Sequence, residues 1–335
     1  MNPPDTGSPR RVGEETVGGV SEFESHARAA TRAAALACEP HVGRGNPKVA
    51  DGAATEAMRT VLGEAPGTGT VVIGEGEKDD APMLFNGERL GTGSGPEFDI
   101  AVDPLECTTL CAKGLEGALA TISVAEAGAL MSPGPAFYMD KLVVPPAARG
   151  AIDMTQTPEA NLQSVAQALG KAVEELRVVV LDKSRHEDLI ARIHAAGARV
   201  STPSEGDVAG SLAALLPGED ADLLMGIGGT PEGVMTACAA AALGGGMQAR
   251  LAPQGEDEAA AVAEAGLDAE RIYELDELVT GEAFFVATGI SGGQLLRRPW
   301  REGDDTLTES IVVAAGSIRR IIEGATGRET NAHGG

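Results

Sequence analysis

The chain has 335 residues, 43% of them apolar, and 50 acidic against 26 basic side chains give a net charge of −24. Length and apolar content suffice for a large core, while the charge repels nucleic acid and anionic membrane with no Lys/Arg-rich run to offset it. No run of about 18 apolar residues occurs and the start Met1-Asn2-Pro3-Pro4-Asp5 lacks a basic and then apolar region, so a cytoplasmic location is expected.

Residues 1–20 and 325–335 are polar without apolar period and read as disordered tails. An Ala-rich helix is predicted from Ser21, as its cap, to Cys38, stopped by Glu39-Pro40. A second runs from about Ala50 to Leu62, with Asp51 at its start. Thr70–Ile73, Phe98–Val102 and Ala118–Val124 read as strands, the first two followed by acidic residues, and Asn86–Gly95 as a hairpin or loop. Beyond Gly150, strands at Val178–Leu181, Val200 and Leu223–Met225 alternate with helices at Glu187–Ala196, Gly206–Leu216 and Pro231–Leu243. That alternation predicts a parallel or mostly parallel sheet with helices on its faces. A strand at Ala283–Ala287, a loop at Thr288–Gly293, and a last strand and helix between Ser310 and Glu323 complete the α/β chain. The organisation expected is an N-terminal α+β half, residues 21–150, and a C-terminal α/β half, residues 151–324.

The chemistry concentrates at the strand ends. In Asp103-Pro104-Leu105-Glu106-Cys107-Thr108 a strand ends in Asp and turns through Pro, so that Asp103 and Glu106 can aim at one space, with the Leu105 carbonyl as a further oxygen ligand. A helix starting at Cys107 would point N–H groups at a phosphate, with the Thr108 hydroxyl beside the attacking water. Taken alone, the tetrapeptide is simply a turn. Gly74-Glu75-Gly76-Glu77, followed by Lys78-Asp79-Asp80, supplies a second acidic cluster, and Gly226-Ile227-Gly228-Gly229-Thr230-Pro231-Glu232 opens a helix with another carboxylate. Asp51 taken alone caps a helix, and Lys183 and Arg185 taken alone are solvated charges. The four cysteines read as free thiols, because Cys107 and Cys111 have no further Cys or His nearby to complete a zinc site.

Together these segments resemble the class II fructose-1,6-bisphosphatases of the lithium-sensitive, metal-dependent sugar and inositol phosphatase superfamily. The resemblance spans about residues 21–323 and rests on Gly43-Arg44-Gly45 through Ala53, Ile73 through Leu84, Asp99 through Glu106, Tyr138-Met139-Asp140-Lys141-Leu142, Gly226 through Gly233 and Ala287-Thr288-Gly289-Ile290. It implies a layered α/β/α/β/α sugar-phosphatase fold and hydrolysis of the 1-phosphate of a ketose bisphosphate by metal-activated water, with Mg²⁺ or Mn²⁺. Matched position by position, it implies Asp51, Glu75, Asp103, Glu106 and Glu232 as metal carboxylates, beside the Leu105 carbonyl. Glu106, Cys107, Thr108, Tyr138, Lys183, Ser184, Arg185, Glu205, Gly206, Asp207 and Gly229 would contact substrate. Thr108 would position the water, oriented by Asp79 and assisted by Glu75. Homo-oligomers, dimers or tetramers, are implied as well.

This chain departs from the family pattern where it has Cys107 for the usual Gly, Asn46-Pro47 then Lys48 for an Asp-Lys pair, Glu205-Gly206-Asp207 for Asp-Gly-Asp, and Leu110-Cys111 after Thr109. These changes leave two alternatives: a phosphatase for a modified sugar or cyclitol phosphate, or a sugar-phosphate-binding protein without turnover.

Overall fold

The computed structural model describes residues 20–74, 83–324 and 329–331. A single-turn 3-10 helix, Val20–Phe23, leads into α1 (Glu24–Cys38), and α2 spans Pro47–Gly63. Neither helix begins where the sequence suggests. Phe23 occupies the N-cap of α1 without a side-chain cap bond, so Ser21 does not cap it. Asn46 caps α2 by accepting from Val49 N at 3.3 Å, with Pro47 preset for the first turn. Asp51 is therefore a turn inside the helix and its carboxylate is not spent on capping.

There follow β1 (Thr68–Ile73), β2 (Arg89–Leu90), β3 (Glu97–Glu106), α3 (Thr108–Lys113), β4 (Leu119–Glu126) and β5 (Tyr138–Val144). The second half contributes α4 (Pro158–Leu169), β6 (Arg177–Val179), α5 (Glu187–Ala195), β7 (Arg199–Ser201), α6 (Asp207–Leu215), β8 (Leu223–Gly229), α7 (Thr230–Leu243), β9 (Gly246–Leu251), α8 (Glu256–Glu264), β10 (Ile272–Glu274) and α9 (Leu275–Leu278). The chain ends through β11 (Ala283–Gly289), β12 (Trp300–Glu302), β13 (Asp305–Ala314), β14 (Ser317–Gly324) and β15 (Glu329–Asn331).

The strands form two sheets, one ordered β15-β14-β13-β11-β4-β3-β1-β2 with β12 beside β13, the other β10-β9-β5-β8-β6-β7. Period-two burial decides the layering. On β4, Ala120, Ile122 and Val124 enter the cluster made with α1 and α2, while Thr121 and Ser123 turn to α7. On β11, Phe284 and Val286 face α1 and α2 whereas Phe285 and Ala287 face the other way. The second sheet repeats the pattern, with Met139, Val143 and Leu224 turned to α6 and α7, and Leu142, Val144 and Leu223 in the cluster that holds α4 and α5 residues. The result is the expected α/β/α/β/α stack. Its middle layer, α7, is buried over most of its length and is rich in small residues, Gly233, Cys238 and five Ala among them, which lets both sheets close on it. Replacing a fully buried side chain packed in the same cluster, such as Phe285 of β11 by Ala, would cost about 3–5 kcal/mol.

Three expectations change. The second sheet is mixed: β7 and β8 run parallel to β6, but β5 pairs antiparallel with β8 and β9, as does β9 with β10. Residues 310–323 hold no helix. They are a hairpin turning at Ala315 (φ 46°) and Gly316 (φ 73°), the double positive φ of a type I′ turn. Sheet membership also ignores the halves expected to meet near Gly150: β5 precedes it yet lies in the second sheet, and β11–β15 return to the first, so that β15 lies within residues 325–335. Among the described residues, no helix is long and apolar enough to cross a membrane.

Candidate metal and phosphate site

Asp103 and Glu106 stand three residues apart on β3, and in a regular strand that odd spacing would send them to opposite faces. Pro104 lacks the N–H needed for the ladder, and the pairing with β4 shifts register between Asp103, opposite Thr121, and Glu106, opposite Leu119. The bulge inserts one residue and turns both carboxylates to the same side. The strand thus continues through Glu106 instead of ending at Asp103. Leu105 N donates to Asp103 Oδ1 at 3.0 Å, and Thr108 Oγ1 donates to the Leu105 carbonyl at 3.0 Å, closing the loop on itself. Cys107, left-handed at φ 65°, then swings the chain into α3.

The third carboxylate comes from another layer. Glu232 lies in the first turn of α7, beneath Gly229, where a Cβ would collide with its carboxylate; a Cβ on Gly228 would likewise strike the Asp207 carboxylate. These two glycines let the end of β8 close over the site. Ligand oxygens of Asp103, Glu106 and Glu232 all lie within 4.8 Å of one another.

Gathering them is electrostatically expensive. Burial, reinforced by neighbouring carboxylates, pushes Asp103 up to about 6 and Glu232 up to about 7, and holds Glu106 well above the ordinary carboxylate range. Among the described residues, Glu232 Oε2 is buried without a hydrogen-bond partner. An all-carboxylate donor set with an orphaned, desolvated oxygen fits a hard divalent cation. Asp51, half-buried on α2, lies outside the group but close enough that its charge helps raise Asp103. Glu75 and Asp79 lie outside the described residues.

Opposite the carboxylates, Glu205 and Gly206 precede α6, and Asp207 is its first residue. Cys107 Sγ is 3.1 Å from where a Cβ on Gly206 would sit, and the charges of Glu205 and Asp207 help to raise the buried thiol. Tyr138 pairs with Gly229 across β5 and β8. Arg185 stacks over the Tyr138 ring at 5.1 Å and donates to the Ile227 carbonyl at 2.9 and 3.3 Å. Lys183, half-buried, and Ser184, exposed, come just before it; among the described residues no bond ties either side chain to the carboxylates. Apart from these two and the residues that are not described, the positions singled out in the sequence converge on one region.

Two participants were not singled out. Lys141, 1% exposed, forms an ion pair with Asp207 and donates to the Gly229 carbonyl at 2.9 Å, and its charge offsets part of the repulsion on Glu232. A single lysine between Met139 and Leu142-Val143-Val144 was the available signal. His186 accepts from Ile227 N at 2.8 Å, so its Nδ1 carries the proton donated to the Leu181 carbonyl at 2.7 Å; burial lowers its basicity. It fixes the backbone that Arg185 holds.

Known proteins share this sequence pattern. A family profile described as "Bacterial fructose-1,6-bisphosphatase, glpX-encoded" matches residues 22–325. The chain is 42% identical over 296 residues to a D-fructose 1,6-bisphosphatase class 2/sedoheptulose 1,7-bisphosphatase of Parasynechococcus marenigrum, covering 84% of this chain and 88% of that one. It is also 42% identical over 307 residues to fructose-1,6-bisphosphatase 1 class 2 of Escherichia coli K12, covering 87% and 91% respectively.

Proposed function

Because this chain belongs to the bacterial class II fructose-1,6-bisphosphatase family, and is a phosphoric monoester hydrolase by that membership, we propose that it removes the 1-phosphate of fructose 1,6-bisphosphate or a closely related ketose bisphosphate. The observation that carries the reading is the bulged Asp103/Glu106 pair meeting Glu232 beside an aromatic, cationic wall of Tyr138 and Arg185. Asp103, Glu106 and Glu232, with Asp51 and Glu75, would hold Mg²⁺ or Mn²⁺. Such a cation neutralises charge on the transferring phosphoryl group and makes a water more acidic.

The remaining roles belong to side chains. Thr108, tethered through its hydroxyl proton to Leu105, keeps its oxygen lone pairs free to accept from a water or to orient one, and Asp79 would complete that arrangement. Lys183 and Arg185, with Ser184, clamp the distal phosphate, Arg185 being pre-set by Tyr138 and by the Ile227 carbonyl. Asp207 and Glu205 accept from sugar hydroxyls, and the small Gly206 and Gly229 leave the backbone accessible. Lys141 holds Asp207 in place through their buried ion pair. The chain works as a cytoplasmic homo-oligomer in this reading, and exposed Phe137 and Leu115 are available for subunit contact.

One observation favours a second reading. Cys107 places a buried thiol against Gly206, narrowing the space between the phosphate loop and the sugar side, so a substrate other than fructose 1,6-bisphosphate would fit if its ring is shaped for that wall. The deciding experiment is phosphate release with Mg²⁺ and with Mn²⁺ from fructose 1,6-bisphosphate, sedoheptulose 1,7-bisphosphate, fructose 1-phosphate and inositol monophosphate. A tenfold kcat/KM preference for the bisphosphates supports the proposal, and Asp103→Asn should then lose more than about 1.4 kcal/mol of transition-state stabilisation, a factor of ten. A preference for a monophosphate, or no turnover with any of them, overturns it.

A further inference from the structure

Away from the carboxylates, a cleft of about 730 Å³ opens between the Glu39–Arg44 loop and the segment from Arg298 to Arg301, with Ile290 between them. Three of its lining residues are arginines: Arg44, Arg298 and Arg301. Ion pairing is common for arginine in this acid-rich chain, as in Arg59 with Glu88, Arg192 with Glu159 and Arg320 with Glu219. Among the described residues Arg44, Arg298 and Arg301 have no such partner; Arg44 only donates to the Pro40 carbonyl at 3.4 Å. With 50 acidic side chains available, three cations left facing one cleft mark a place where an anion is the missing partner. One carboxylate, Glu39, lines the same cleft and leaves it net positive.

The walls are fixed rather than loose. Trp300 is braced by Arg297, whose guanidinium lies 4.0 Å above its ring. Pro299 and Ile290 are buried beneath. On the other wall, Gly43 N and Gly45 N donate to the Cys111 and Ala112 carbonyls of α3 at 2.9 and 2.8 Å, and Ile290 N donates to Ala118 at 2.9 Å. The Gly43 wall and Ile290 between the walls are thus bonded to the segment that runs from Cys107 through α3 into β4.

We propose that this cleft binds a small phosphorylated anion with at least two negative charges, held by Arg44, Arg298 and Arg301. The site stands on its own residues and does not depend on the substrate assignment above. Its backbone bonds to α3 give the bound anion a route to the placement of Thr108.

Trp300 is the only tryptophan, so its fluorescence reports the cleft directly. Full-length, metal-free protein is titrated with inorganic pyrophosphate at low and high salt, read by calorimetry and by Trp300 emission, with inorganic phosphate in parallel. The expected result is saturable binding of one pyrophosphate per chain, tighter than phosphate and weakened by salt. R298A/R301A should weaken it at least tenfold, with unchanged circular dichroism, while R185A changes it less than twofold. If the double variant does not fold, R44Q and R301Q tested singly must each weaken binding at least threefold. Absence of saturable binding at low salt, or binding lost in R185A and kept in the cleft variants, overturns the proposal.

Discussion

Lys141→Met is the sharpest test of the site's electrostatics. The side chain is 1% exposed and pairs with Asp207, itself only 7% exposed at the side chain. Methionine matches the aliphatic stem, so the volume is kept and the charge is lost. Asp207 would then face Glu106 and Glu232 without a counterion, and the Gly229 carbonyl would lose its donor. Breaking a buried pair in this way costs about 3–5 kcal/mol, most of it the stranded carboxylate. Removing both charges in Lys141→Met/Asp207→Leu should recover most of that, giving a coupling energy of about 3 kcal/mol. Urea unfolding of the metal-free proteins at pH 8 measures each term. A single variant that loses less than about 1 kcal/mol, or a double variant no better than the single, would refute the claim that Lys141 exists to balance Asp207.

Other outcomes follow from the same geometry. Asp103 and Glu232 titrate near 6 and 7 in the folded chain against about 4 when unfolded, so the native state binds more protons across that range. Metal-free stability should be highest near pH 4–5 and fall as pH rises through 6 to 7, whereas Mg²⁺ or Mn²⁺ at a hundredfold over Kd should add about 2.7 kcal/mol at pH 8. Unfolding midpoints between pH 5 and 8, with chelator and with cation, check both, and a metal-free midpoint that rises with pH contradicts them. Cys107→Gly relieves a left-handed conformation worth about 1–2 kcal/mol and opens the wall toward Gly206, so kcat/KM for fructose 1,6-bisphosphate should rise. Unchanged or lower activity would mean that the thiol fits a different substrate. Ala315→Gly, at φ 46° in the β13–β14 turn, should stabilise the chain by about 1 kcal/mol without altering kinetics, as thermal unfolding would show.

What the sequence revealed was local. Asp103 through Glu106 and Gly226 through Glu232 are contiguous, so their strand-end and helix-start chemistry shows in the string itself. What it concealed depends on partners far away in the chain. β5 reads as a short apolar stretch, and nothing in it tells that β8 and β9 flank it antiparallel or that Lys141 meets Asp207, 66 residues on. The β13–β14 hairpin hid behind Ile311, Ala314, Ile318 and Ile322, whose spacing mimics a helix, while Ala315 is an unusual occupant of a type I′ turn. Asp51 reads as a cap in the string because nothing there marks Pro47, a turn earlier, as the first helical residue.

The bulge in β3 makes the metal cluster a matter of parity. Straightening the strand without removing a residue would leave every ligand residue in the chain yet turn Glu106 to the face opposite Asp103, toward α1 and α2. The cluster therefore hangs on the one extra residue between Asp103 and Glu106: deleting Leu105 would restore an even spacing and a regular ladder with both carboxylates on one face, and what it would remove is the carbonyl to which Thr108 Oγ1 donates.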